Sequence, residues 1–444
     1  MFSCHPILLT EAPQNWQVLP QCDGFAAFSI KGQIRTEDVS GKLHYRVVTE
    51  NSGKTVIPWT PAVQRGTRFS AKMCLPVGGP YRLETGMLPA GADFKDAIGG
   101  DMVRHFFVGD LYLIAGQSNA VGFARDAKHD PPCIGVSVHR LDGYWALASH
   151  PLHDSTDSVY VNLDVPLPAQ SPWLTFARQL YRKIDIPIGL LPAALGGSPL
   201  EAWMPGGLLF ENAVSMVNRC GAIRGVLWYQ GCADALAHET ETYLQRFLQM
   251  TEAFRRRTKL PELPFFTCQL NGFTEPGEGL DEAFSSIRQA QAAAAEQPGI
   301  YLLPTAGMRL YDQIHNNAAS NCRIGRQMAS IVLSAVYQIA CRHDAPKVIA
   351  ISKEPNRLIL TLSPIEGSLR TKKNTRRMFT ALQNGKALHI EQVFTEDHRL
   401  ILCGENLHLA DQLQYAQKKD LTDAGIFDSA GGWMLAPFIH EITQ

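Results

Sequence analysis

A chain of 444 residues with 45% hydrophobic and 19% charged residues has the balance of a folded protein with a sizeable core, which excludes a disordered or fibrous class. Its formal net charge of -1 offers no electrostatic attraction for nucleic acid or an anionic membrane surface. No apolar run approaches the ~18 residues of a membrane span, and the length suggests about three domains of ~150 residues each.

The first residues, Met1 to Pro6, carry no basic cluster, and Ile7-Leu8-Leu9 is too short for the core of an export signal. Ten cysteines are scattered without a C-x-x-C pair, which reads as reduced thiols in a cytoplasmic protein. From Asn15 to about Arg104, short alternating runs (Phe25 to Ile30, Leu43 to Val48, Phe69 to Val77, Tyr81 to Met87) are split by Gly, Pro and Asn. This pattern predicts an antiparallel, sandwich-like β-domain over residues 1–105.

Near Phe106 the texture changes. Apolar runs bounded by Gly or Pro (Leu111 to Ala115, Ile186 to Leu191, Ala222 to Tyr229, Phe265 to Leu270, Ile300 to Leu303) suit strands buried on both faces of a parallel sheet. Between them Thr240 to Arg257, Asp281 to Glu296 and Asn317 to Cys341 carry helical periodicity. Residues 106–345 are therefore expected to form a three-layer α/β unit. A period of two returns at Val348 to Ser352, Arg357 to Ser363, Leu388 to Phe394 and Arg399 to Cys403, predicting a second small β-domain over 346–444. The basic run from Arg370 to Arg377 within it reads as a solvated loop.

In an open α/β sheet the working residues sit at the carboxyl ends of strands. Four such ends carry chemistry: Gly116-Gln117-Ser118-Asn119, Gly196-Gly197-Ser198 to Trp203, Gln230-Gly231-Cys232, and Asp312-Gln313-Ile314-His315. Ester hydrolysis needs a nucleophile, a base, a group that orients the base and donors for an oxyanion. Ser118 supplies a hydroxyl on a strand-turn-helix elbow, His315 the base, and Asp312 an acceptor three residues earlier. The N–H groups of Ser118 and Gly197 and the Gln230 side-chain amide are the candidate oxyanion donors. Each has a structural alternative: a strand cap at Gly196-Gly197, a buried amide at Gln230, a helix cap at Asp312. Gln117, Asn119, Trp203 and Trp145 are candidate substrate contacts, with Tyr144 and Trp173 in the same irregular stretch from Asp126 to Trp173. His150 and His153 lack a third ligand at metal spacing, so neither a metal nor a cofactor is expected.

Val108-Gly109-Asp110-Leu111-Tyr112, Gly116 to Asn119, Ile186 to Leu190, Gly196 to Trp203, Gly225 to Gly231, Arg288-Gln289-Ala290-Gln291 and Asp312 to His315 together resemble the sialate O-acetylesterase family of SGNH-type carbohydrate acetylesterases. The resemblance implies Ser118 as nucleophile, Asp312 and His315 as its partners, and Gly197 with Gln230 in the oxyanion hole, in an SGNH-like domain flanked by β-domains. Three positions depart from the family pattern: Cys232 stands where Glu is usual, Asn316 follows the histidine where Pro is usual, and Ala120 replaces a common Met. The expectation is a cytoplasmic acetylesterase acting on a small acetylated sugar, sialic acid or a xylo- or manno-oligosaccharide. A non-catalytic sugar-binding relative, kept open by Cys232, and a lipid or thioester hydrolase are the alternatives.

Overall fold

The computed structural model describes residues 6–35, 41–93, 97–126, 128–164, 168–422 and 424–442. Met1 to His5, on which part of the export-signal reading rests, lie outside the described residues, as do Ala127 and Val165 to Leu167 of the irregular stretch.

The five apolar runs form one sheet. Read across it, the strands are Trp145–Leu147, Val136–His139, Ile188–Pro192, Ile98–Gly116, Gly225–Tyr229, Phe265–Cys268 and Ile300–Leu303. All neighbours are parallel from Val136–His139 onward; only the edge strand Trp145–Leu147 is antiparallel. Both Val136–His139 and its neighbour Trp145–Leu147 lie in the stretch expected to be irregular. At four and three residues, they are too short to show a period.

The helices are α1 (Ser118–Val121), α2 (Trp173–Ile184), α3 (Leu208–Cys220), α4 (Cys232–Leu236), α5 (Tyr243–Thr258), α6 (Leu280–Ala294) and α7 (Ala318–Ala335). Alternate residues of the central strand serve different cores, as the two-residue period of a strand dictates. Leu111, Leu113 and Ala115 join a cluster with Phe210, Phe247, Phe254 and Phe284 of α3, α5 and α6. Tyr112 and Ile114 join a second cluster with Trp173 and Phe176 of α2 and Ile324, Met328 and Val332 of α7. The helix α7 stops at Ala335, short of Cys341, and Gln338 takes a positive φ of 54° just beyond it.

The central strand is 19 residues long. Its first half pairs antiparallel with Gly78–Leu88, and its second half joins the parallel sheet. The boundary expected at residue 105 thus falls within one continuous strand, and the N-terminal strands are an extension of the same sheet. A separate four-stranded sheet, Ile7–Glu11, Phe25–Ile34, Arg68–Pro76 and Val63–Arg65, accompanies them. At the other end, two four-stranded antiparallel sheets and a two-stranded one enclose their own core around Leu360, Leu402, Leu413 and Tyr415. The single run expected from Leu388 to Phe394 is divided: Lys386–Leu388 belongs to one sheet and Gln392–Glu396 to the other. Buried Ile390 marks the crossing between them.

Candidate active site

The central strand is flanked on opposite sides by two strands that come later in the chain, Ile188–Pro192 and Gly225–Tyr229, so its carboxyl end is the crevice where this architecture binds ligands. There Gly116 has φ +120°, and a Cβ would stand 2.3 Å from the Tyr229 carbonyl oxygen. Only glycine lets the strand turn so close to its neighbour. Ser118 opens α1 and is 8% exposed. As the first helical residue, it has no helical acceptor for its N–H.

Two neighbouring loops are tied to this turn. Leu195 N–H donates to Gly116 O (3.1 Å), and the Ser198 hydroxyl donates to Leu195 O (2.8 Å), which fixes the Gly196-Gly197 turn beside the serine. Gly197 has φ +69° and faces open space where a Cβ would stand. On the other side, Gln117 Oε1 accepts from the N–H groups of Gly231 (3.0 Å) and Ala233 (3.2 Å). Its Nε2 has no hydrogen bond among the described residues.

The histidine loop is a compact turn closed by Tyr311 N–H on His315 O (2.7 Å). Asp312 does not cap the next helix, a task done by the Asn317 side chain on Ser320 N–H. Instead its Oδ1 accepts from the N–H groups of Ile314 (2.9 Å) and His315 (2.7 Å), and its Oδ2 accepts from the His315 ring at Nδ1 (2.7 Å). Burial would push the Asp312 carboxyl up, but these hydrogen bonds outweigh it and hold the pKa below the ordinary value. With Nδ1 engaged, Nε2 is the nitrogen left for proton transfer. The Phe123 ring stacks on His315 at 5.0 Å between centroids.

Asn119, next to the serine, joins the two loops. Its Oδ1 accepts from Asn316 N–H (3.0 Å) and its Nδ2 donates to Ile314 O (3.2 Å), one bond on each side of His315. Asn271 reinforces the same point by donating to Ile314 O (2.7 Å). Asn316 in turn donates to the Tyr229 hydroxyl (2.8 Å). The substitution of Asn for the family's Pro after the histidine therefore supplies an additional anchor for the loop.

Several sequence expectations are corrected. Gln230 is fully buried; its Nε2 donates to Asp234 Oδ2 and Ser198 O, and its Oε1 accepts from the Tyr243 hydroxyl. Both amide hydrogens are engaged beneath the turn, so the side chain is not an oxyanion donor here. Asn119, 3% exposed, is a fastening within the protein and no substrate contact. Trp203 is 2% exposed, edge-on to Trp228, with its Nε1 donating to Ser198 Oγ (3.1 Å). Trp145 is buried against His139, and Trp173 donates from Nε1 to Ala120 O (2.7 Å) in α1. Trp203 and Trp173 bond to residues around the serine turn, while Trp145 packs at the sheet edge; of the four aromatics, only Tyr144 is broadly exposed. The Cys232 thiol is buried and its pKa is pushed up to about 12, so it brings no charge to the site.

Phe123, Asn271 and Asp164 were not singled out from sequence. Asn271 follows the strand Phe265–Cys268, a further strand end that carries a polar residue. Arg288, quoted above for the resemblance, is fully buried and donates to the carbonyls of Leu270 (2.9 Å), Asn271 (2.7 Å), Ala416 (3.0 Å) and Lys418 (2.7 Å). Among the described residues no group of three His, Cys, Asp or Glu side chains is arranged to hold a metal ion.

Residues 108–334, just over half of the chain, match the carbohydrate esterase family described as sialic acid-specific acetylesterase. A probable carbohydrate esterase of Arabidopsis thaliana is 26% identical over 247 residues, 50% of this chain and 90% of that protein. Human sialate O-acetylesterase is 26% identical over 152 residues, a match that spans 28% of its length and 27% of this chain. A crystal structure of a carbohydrate acetylesterase from Xanthomonas citri shares the fold over 97% of this chain and 98% of its own, with a TM-score of 0.67 at 18% identity. With the serine turn, the Gly196-Gly197 turn and the histidine loop tied together at one end of the sheet, and more than half of the chain matched, the chain belongs to the sialic acid-specific acetylesterase family of carbohydrate esterases.

Proposed function

We propose that this protein hydrolyses acetyl esters on sugars by a serine mechanism. The observation that carries the reading is the 2.7 Å hydrogen bond from His315 Nδ1 to Asp312, in a loop that Asn119 fastens to the residue beside Ser118. Ser118 Oγ attacks the acetyl carbonyl carbon while His315 Nε2 takes its proton. The oxyanion is met by the N–H groups of Ser118 and Gly197, and Gln117 Nε2, which has no hydrogen bond among the described residues, is a candidate side-chain donor beside them. The histidine then gives the proton to the departing sugar oxygen, leaving an acetyl ester on Ser118. Water, deprotonated by the same histidine, attacks that ester and releases acetate. The sheet with its two helical coverings is read as a three-layer α/β/α SGNH-like unit, and the antiparallel sheets at either end as sandwich-like flanks. The acetylated substrate is a mono- or oligosaccharide.

Acetate release from p-nitrophenyl acetate and from acetylated sugars tests this reading. Ser118→Ala is expected to lower kcat by ~10³ or more and His315→Ala by a similar factor, with no additivity in the double variant. Equal rates in wild type and Ser118→Ala would contradict it.

A further inference from the structure

We propose that Phe123 is a positioning residue of this site, whose ring fixes the plane of the His315 imidazole and so its aim at Ser118. The inference rests on the esterase reading above and adds to it the group that orients the ring of the base.

Asp312 bonds His315 at one ring atom, Nδ1, and the imidazole has no other hydrogen bond among the described residues. The fastenings from Asn119 and Asn271 reach only the backbone on either side, at Ile314 O and Asn316 N–H. A ring tethered at a single atom keeps its rotation about that bond, and Asp312 sits in the same turn. Phe123 supplies the missing restraint. Its ring stacks on the imidazole at 5.0 Å between centroids, with 26° between the planes.

The Phe123 ring is itself held in place. It follows the four-residue α1 by one glycine, and Gly122 N–H donates to Ser118 O (2.8 Å) to close that helix. On either side of Phe123, Gly122 O accepts from Ala169 N–H (2.7 Å) and Ala124 O from Gln170 N–H (3.2 Å). Gly122 has φ +97°, and a Cβ there would stand 2.4 Å from Ser171 Cβ. Only glycine lets the chain leave α1 so close to Ser171. Ala124 is buried and Phe123 half-buried, the alternation that an extended segment imposes on neighbours. The ring also comes within 3.9 Å of where a Cβ on Gly196 would stand, and Gly196 N–H is fixed on Asp164 Oδ1 (2.8 Å). Phe123 therefore joins the helix that Ser118 opens, the imidazole and the Gly196-Gly197 turn. A flat face restrains the plane of a neighbouring ring, whereas an aliphatic side chain fills the same space without doing so.

The test measures kcat and KM for p-nitrophenyl acetate in Phe123→Leu, Phe123→Tyr and Phe123→Trp, with urea midpoints to establish folding. Phe123→Leu is expected to lower kcat by ~10-fold or more, with KM within ~2-fold of wild type. Phe123→Met serves the same comparison should the leucine variant not fold. Because one imidazole acts in both half-reactions, acetylation and deacetylation of Ser118, resolved by rapid mixing, should slow together. At least one of the two aromatic variants is expected to keep kcat within ~3-fold of wild type. A folded aliphatic variant with wild-type kcat, or folded aromatic variants that fall as far as the aliphatic one, would overturn the inference and leave the serine mechanism standing. No acetate release by the wild-type protein would overturn both.

Discussion

Gly116 shows how little freedom the turn before Ser118 has. Its φ of +120° and the 2.3 Å approach of a notional Cβ to Tyr229 O mean that alanine must displace either the elbow or the neighbouring strand. Gly116→Ala is expected to remove more than ~99% of acetate release, because a shift near 1 Å at a nucleophile costs ~10² in rate. Gly197→Ala meets open space and only the cost of a left-handed backbone, about 1–2 kcal/mol, so it should fold and be read mainly in kcat. The Asp312 carboxyl, held below its ordinary pKa, stabilises the folded state above the unfolded value of ~3.9, and that stabilisation is lost as pH falls through the folded value. Unfolding midpoints measured from pH 6 down to pH 3 should therefore show a shallower acid limb in Asp312→Asn than in wild type. The hydrogen bond between Asp312 and His315 and the strand-turn-helix at Ser118 were legible, because the first joins residues three apart in sequence and the second follows an unbroken apolar run. The roles of Trp203, Trp145 and Gln230 were not, because a sequence names a residue near a site without saying which side of the loop it takes.

At the scale of elements, the histidine loop has no long hydrophobic face and is held by polar fastenings to the turn beneath Ser118. Asn119→Ala removes one bond on each side of His315, and is expected to lower kcat by ~10² with little change in KM. An unchanged kcat would show that Asn271 alone positions the loop. Arg288 performs a comparable task for the C-terminal sheets, with four carbonyls gathered from Leu270, Asn271, Ala416 and Lys418. Its desolvation lowers its pKa to about 10. Arg288→Met leaves those carbonyls without their donor, and the expected loss is about 2–4 kcal/mol, measurable as a lower urea midpoint. The long buried strands and α5, α6 and α7 could be read from periodicity. Val136–His139 and Trp145–Leu147 could not, since their pairing with the sheet edge is a tertiary fact.

Across the whole molecule, one strand from Ile98 to Gly116 belongs to both the N-terminal antiparallel pairing and the parallel sheet, so the two regions share a backbone ladder that ends at the turn into Ser118. The boundary expected at residue 105 from the change in sequence pattern falls within it, because that change marks where helices begin to cover the sheet and leaves the strand itself uninterrupted. Two buried histidines tie the fold to pH. Burial lowers the pKa of His153 to about 3 and that of His139 to about 4, so both stay neutral in the native state while the unfolded chain takes up protons below ~6.5. The unfolded state then binds more protons, and stability falls as pH drops from ~6.5 towards those values. For His153 the loss between pH 7 and pH 5 is about 2 kcal/mol. His153→Leu should flatten that part of the profile.

The central claim is that an acetyl group passes through Ser118. The most direct measurement is mass spectrometry of the active-site peptide after rapid acid quenching of the enzyme with p-nitrophenyl acetate. One added acetyl group is expected on the peptide containing Ser118, absent in Ser118→Ala. Acetate release with no acetyl on that serine at any quench time would contradict it.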